Sequence, residues 1–351
     1  MKAGLSGLSV GLTIPRARGE NARMSLGEFD LIAKYFDRPA RRAALGIGDD
    51  CALLSVPPGM QLATSCDMLV EGRHFLSTVA PERLGHKALA VNLSDLAACG
   101  AEPLAFTLAL ALPSVDEAFL DGFSRGLLAL ADAHGCELIG GDTTRGPLNI
   151  CISIFGQVPT PPGAGTLLRS GARAGDELYV SGNLGDARLA LEAFRGTLML
   201  AGEDFDTVRR GMELPQPRVA LGLALRGVAT SAIDLSDGLL GDLSHVLQRS
   251  GVDALVDVDA VPRSTVLRAQ PLAVQRLCTL SGGDDYELLF TAPPGRAHQV
   301  SAAGIATGLT LTRIGRIVQR AGPGQEAHIG LVDADGRAVL HAAASFDHFR
   351  A

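Results

Sequence analysis

Near its midpoint the chain is interrupted by a stretch rich in proline and glycine, Pro159 to Gly165, and on both sides of it strand patterns mix with helical ones. A chain divided in this way is expected to fold as two mixed modules, α+β or α/β, rather than as one sheet or one bundle. The boundaries read as an N-terminal domain over 25–160 and a C-terminal domain over 161–351. Residues 1–24 carry Gly4, Gly7, Gly11, Pro15 and Gly19 without an apolar period. They read as a disordered extension, or as the product of an upstream start codon with Met24 as the working start.

In the first module, Ser25-Leu26-Gly27-Glu28 has the form of a capping box and predicts a helix through Phe29, Ile32, Ala33 and Phe36. A second box, Ser114-Val115-Asp116-Glu117, predicts a helix ending near Gly135, and Glu82–Cys99 reads as a third. Strands are expected at Cys51–Val56 and Gln61–Ser65, on either side of the turn Pro57-Pro58-Gly59, and over Leu104–Leu112. Ile150, Ile152 and Ile154 alternate with Cys151, Ser153 and Phe155, as in a strand with two distinct faces. In the second module, strands are expected at Glu177–Val180, Thr230–Asp234, Tyr286–Thr291 and Arg313–Val318. Helices are expected after Asp186, near Arg218–Leu225 and from Asp237.

Composition excludes several classes. A net charge of -7, no Trp and three Tyr argue against a nucleic-acid partner held by phosphate contacts or base stacking. No apolar run approaches about 18 residues, so no membrane-spanning helix is expected. The six cysteines form no C-x-x-C pair. That spacing fits small, mostly buried residues in a reducing, cytoplasmic compartment better than zinc ligands or a disulfide framework.

The chemistry lies in the aspartates. Asp49 and Asp50 follow Gly46-Ile47-Gly48, Asp67 ends a strand, and Asp142 follows Gly140-Gly141. Asp234 and Asp237 bracket Leu235-Ser236, and Asp284 and Asp285 follow Gly282-Gly283. Asp95 alone stands inside a helix with an apolar inner side. Turns and caps favour aspartate anyway. But a set of buried carboxylates needs cations, and oxygen ligands without a His/Cys cluster favour Mg²⁺ and, through it, substrate phosphates. No G-x-x-x-x-G-K-[ST] occurs, and Gly46-x-Gly48 lacks the third glycine of a dinucleotide fingerprint. Arg145, Arg169 and Lys87 are the candidate phosphate-facing cations.

Seven stretches resemble the thiamine-monophosphate kinase family: Gly27-Glu28-Phe29, Gly46-Ile47-Gly48-Asp49-Asp50, Asp67-Met68-Leu69-Val70-Glu71-Gly72-Arg73-His74-Phe75, Ala90 to Ala98, Gly140 to Thr144, Asp234 to Leu239, and Ser281 to Leu288. The resemblance runs from Gly27 to about Phe349. It implies transfer of the γ-phosphoryl group of ATP to thiamine monophosphate, several Mg²⁺ ions, and a cytoplasmic homodimer without nucleic-acid or membrane partners. It implies metal ligation by Asp50, Ser65, Asp67, Asp95, Asp142, Asp234 and Asp237, with Cys66 in reach through its backbone carbonyl. It assigns Gly141, Asp142, Arg169 and Ser236 to ATP, and His74, Asp284 and Phe346 to thiamine monophosphate. No residue is assigned as a general base, because the acceptor is already an ionised phosphate. The family's fold has an N-terminal sheet that forms a barrel with the sheet of a partner subunit, and a C-terminal α/β domain. Two positions depart from the family's habit: Asp284 where Glu is frequent, and Cys66 where a hydroxyl residue is common. A related synthetase with a reactive Cys followed by Lys is disfavoured, since Cys51 has no such Lys nearby. A thiamine-phosphate carrier would need no such set of carboxylates.

Overall fold

The computed structural model describes residues 27–160, 165–320, 322, 326–343 and 345–346. The extension over 1–24 and the predicted cap at Ser25 lie outside them. The first half runs α1 (Glu28–Tyr35), β1 (Met60–Val70), α2 (Pro81–Ala98), β2 (Glu102–Leu112), α3 (Glu117–His134), β3 (Glu137–Arg145) and β4 (Asn149–Pro159). The second runs β5 (Glu177–Ser181), α4 (Asp186–Phe194), α5 (Gly202–Glu213), α6 (Val219–Ala224), β6 (Ser231–Asp234), α7 (Leu239–Ser250), β7 (Asp253–Asp257), α8 (Thr265–Arg268), α9 (Leu272–Ser281), β8 (Leu288–Ala292), α10 (Ala297–Thr307), β9 (Leu311–Val318) and β10 (Ile329–Val332).

Local chemistry sets several of these ends. The carboxylate of Asp30 accepts from the N–H of Gly27, which caps α1. Asp116, not Ser114, caps α3: its carboxylate accepts from the N–H groups of Ala118 and Phe119 at 2.9 and 3.2 Å. Gly135 closes the same helix at φ 57, in the left-handed region. The expected strand at Cys51–Val56 does not form; the segment is irregular and makes one isolated bridge, Leu45 to Leu53. Conversely, the Gly140-Gly141-Asp142 stretch is not a loop. It belongs to β3, which pairs in parallel with β2.

The first sheet has the order β1-β4-β2-β3 and the second β10-β7-β9-β5-β8-β6. Neither closes on itself among the described residues. In the first, β1 and β4 run antiparallel, with Ser65 opposite Ile154 and Asp67 opposite Ile152. Strand alternation buries Ile150, Ile152, Ile154 and Val158 on one face. The other face leaves Leu62 49% and Met68 53% exposed.

Helix α2 is buried almost all round, as its mixture of apolar and small residues on every side requires. It packs against β1 and β4 on one side and against α6 and β6 of the second half on the other. It also crosses α3 closely. A Cβ at Gly126 would lie 1.8 Å from the carbonyl oxygen of Glu82, and one at Gly85 2.0 Å from that of Phe123. One apolar core consequently runs through both halves, from Phe106, Phe123 and Leu93 to Leu221, Leu288 and Phe290. A separate core fills the far side of the second sheet, around Val180, Leu243 and Val256. Among the described residues no helix is long and apolar enough to cross a membrane.

Candidate active site

Strand β1 ends its run beside α2, and β6 ends facing the same helix. The chain therefore delivers Asp67, Asp95 and Asp234 to the walls of one cavity of about 530 Å³. The loop after β6 adds Ser236 and Asp237, the segment after β1 adds His74, and the loop before β8 adds Asp284. Phe346 closes one side, with its N–H on the carbonyl of Asp237. A second cavity of the same volume adjoins it and shares Asp95 and Asp234. That one is lined by Ser65 and Arg169.

The carboxylates act on one another. Burial pushes Asp67 up to about 7, and the charges of Asp95 and Asp237 add to it. Asp234 is pushed up to about 7 by burial and by Asp95, partly offset by the hydroxyl of Ser94, which donates to it at 2.7 Å. Burial also raises Asp95, against the pull of the Ser65 hydroxyl, which donates to it, and of Arg169. Behind them, Asp242 is pushed up to about 8 by burial, then by Asp234 and Asp237, although it accepts from the N–H groups of Asp237 and Gly238. Negative charge crowded in this way calls for cations. No three His, Cys, Asp or Glu side chains among the described residues converge on a single ion position. The donor set itself, oxygen-only and mutually repelling across an open cavity, fits magnesium.

In the same cavity, the Nδ1 atom of His74 accepts from the N–H of Val70 at 2.9 Å. A ring nitrogen that accepts carries no proton, so the proton of the neutral imidazole is on Nε2. Asp284 is paired with Lys87 at 2.5 Å. Its loop is unusual: Asp284 and Tyr286 both have positive φ, at 72 and 50. Gly283 lies against the Asp234–Asp237 loop, where a Cβ would come 2.2 Å from the carbonyl of Ser236. Strain of this kind persists only where the surroundings over-determine it. The rest of the motif is structural. Asp285 turns away and accepts from the N–H of Gly185 through both oxygens. Glu287 is buried, holding Ser181 and Arg218.

Other residues marked in the sequence lie apart from both cavities. Asp50 is exposed in the irregular segment, its N–H on the carboxylate of Asp49. Gly141 and Asp142 are exposed on the edge strand β3. Cys66 is on the opposite face of β1 from Ser65 and Asp67, because side chains alternate along a strand, and its sulfur is 3.5 Å from that of Cys151. All six cysteines are free, and only Cys136 and Cys278 are buried, fewer than expected. Arg188 and Tyr286 line the cavity without having been singled out. Nothing at sequence level distinguishes Arg188 from a solvated helical arginine, whereas Tyr286 adjoins the G-G-D-D run.

Comparison with known proteins gives the family. Residues 48–158 match the family described as AIR synthase related protein, N-terminal domain, and residues 173–326 match its C-terminal domain. Thiamine-monophosphate kinase of Salmonella typhimurium is 47% identical over 302 residues, covering 84% of this chain and 91% of that protein. The protein of the same name from Haemophilus influenzae is 42% identical over 333 residues, covering 93% and 99%. Among solved structures, thiamine-monophosphate kinase from Stenotrophomonas maltophilia superposes with a TM-score of 0.77 at 43% identity, over 88% of this chain and 95% of that one. AaThiL complexed with AMPPCP and TMP superposes with a TM-score of 0.71 at 29% identity, over 84% and 89%.

Proposed function

The chain belongs to the thiamine-monophosphate kinase family, and from that premise we propose that it transfers the γ-phosphoryl group of ATP to thiamine monophosphate, giving thiamine diphosphate. The observation that carries this reading is a single cavity lined by the carboxylates of Asp67, Asp95, Asp234 and Asp237 together with His74, Asp284 and Phe346. Phosphoryl transfer of this kind is positioning plus charge neutralisation. The acceptor phosphate is ionised at neutral pH and attacks directly, which is why the cavity needs no general base. His74 is assigned to the acceptor by the family resemblance and lines the cavity, and Phe346 supplies an apolar wall. Arg169, in the adjoining cavity, and Ser236 are assigned to ATP.

Magnesium ions, when bound, would supply neutralisation of the charge on the phosphate oxygens. Asp67, Asp95 and Asp234 would hold the ions, with Ser65 and Asp237 lining the same two cavities; the carbonyl of Cys66 is added on the family resemblance alone. The assignments of Asp50 and Asp142 to metal, and of Gly141 and Asp142 to ATP, rest on the family resemblance alone. The division into domains at 25–160 and 161–351 is kept as part of this reading. The apolar face of the first sheet, with Leu62 and Met68 exposed, is where we place a partner subunit in a homodimer. The free cysteines support a cytoplasmic, reducing setting.

The test is release of ADP from ATP and Mg²⁺ across a panel of phosphorylated acceptors. ADP is expected with thiamine monophosphate and not without an acceptor. Release with a different acceptor and none with thiamine monophosphate would overturn the reading.

A further inference from the structure

We propose that Lys87 is a positioning residue for the acceptor substrate, acting through Asp284, an inference that rests on the kinase reading above. Lys87 is 2% exposed. A lysine buried so deeply requires a fixed anionic partner, and its ammonium donates to the carboxylate of Asp284 at 2.5 Å. Lys87, Val91 and Asp95 all line the cavity. They follow one another at intervals of four residues, so a single face of α2 carries both a metal-side carboxylate and the hold on Asp284. Seven residues beyond Lys87, Ser94 donates to Asp234 at 2.7 Å. Helix α2 therefore grips two loops of the second half, the one that ends β6 and the one that precedes β8.

The second loop needs such a hold. Asp284 stands at φ 72, a conformation that side-chain-bearing residues seldom adopt. Its N–H donates to the carbonyl of Ser236 at 2.8 Å, which fixes the backbone but leaves the carboxylate to be aimed. Lys87 aims it. The ion pair also cancels one negative charge in a cavity already crowded with carboxylates, so that Asp284 meets the acceptor as a fixed hydrogen-bond acceptor rather than as a free anion.

The test compares Lys87→Met, Asp284→Asn and the double variant with the wild type. It measures KM for thiamine monophosphate, KM for ATP, kcat and thermal melting. Lys87→Met is expected to raise the acceptor KM roughly tenfold or more, the scale of losing a hydrogen bond to a charged group. The KM for ATP should stay within about twofold, a split that general loosening of the fold would not produce. Because Lys87 acts through Asp284, the double variant should be no worse than the poorer single one. Effects that multiply in the double variant, or equal rises in both KM values, would overturn the proposal. Should Lys87→Met fail to fold, Lys87→Gln replaces it in the same cycle, and the same comparison decides. A wild type that releases no ADP with thiamine monophosphate removes the kinase reading and this proposal with it. An active wild type with the wrong pattern among the variants removes this proposal alone.

Discussion

Asp95 is held between groups of opposite tendency: burial disfavours its charge, while the Ser65 hydroxyl and Arg169 favour it. It lines both cavities, so one carboxylate faces the two of them together. Asp95→Asn keeps the shape and removes the charge. Turnover should fall roughly 100-fold or more, the scale of losing one electrostatic stabiliser, while the melting temperature stays close to that of the wild type. Near-normal activity at saturating Mg²⁺ would count against the shared-carboxylate site. A second expectation concerns pH. A carboxyl whose pKa is higher folded than unfolded binds extra protons in the folded state. Stability from that source is fully present below the unfolded value and lost as pH rises through the folded one, here from about 4 towards about 7 for Asp67 and Asp234. Magnesium binds the deprotonated forms. It should therefore raise the melting temperature more at pH 8 than at pH 6, and the concentration needed for half-maximal activity should climb as pH falls below 7. A pH-independent magnesium effect would contradict this. At this scale the sequence was informative where an aspartate broke an apolar pattern, as Asp95 does in α2. It was silent on which neighbour each carboxylate meets, because Ser94 with Asp234 and Lys87 with Asp284 are pairings across 140 and 197 positions.

Helix α2 was legible to within a residue at each end, since its apolar spacing and Pro81 both mark it. Strand β3 was not, because a Gly-Gly pair followed by Asp and Thr reads as a turn. Parallel pairing with β2 overrides that local preference, with Gly140 opposite Thr107. The reverse error, a strand at Cys51–Val56, arose because that segment has strand-like residues but no partner strand. The close crossing of α2 and α3 was hidden as well, since glycines inside a helical pattern usually signal weakness rather than contact. Gly126→Ala tests it. Its new methyl group would collide with backbone rather than with a movable side chain. Although alanine is the better helix former, the variant should lose about 1–3 kcal/mol in urea unfolding, as overpacked sites do. A gain in stability would show that the crossing has room to spare.

At the scale of the molecule, two mixed halves were readable from the composition break near residue 160, but their continuity was not, because it depends on which side of each helix meets which sheet. The open face of the first sheet marks the proposed subunit contact, and Leu62, outside both cavities, lies on it 49% exposed. Leu62→Lys places a charge there at no cost to the core. It should shift the protein from dimer to monomer in sedimentation velocity, and an unchanged sedimentation coefficient would move the contact elsewhere. The core that runs from Phe106 and Phe123 through α2 to Leu288 and Phe290 has a further bearing, on how the protein comes apart. A chain whose halves share their packing has no seam along which one can melt while the other persists. Heating should then give a single calorimetric peak, with the amides of α2 the slowest to exchange in deuterium oxide. Neither half expressed alone should hold a cooperative fold, because each would carry away only one side of the helix's bed.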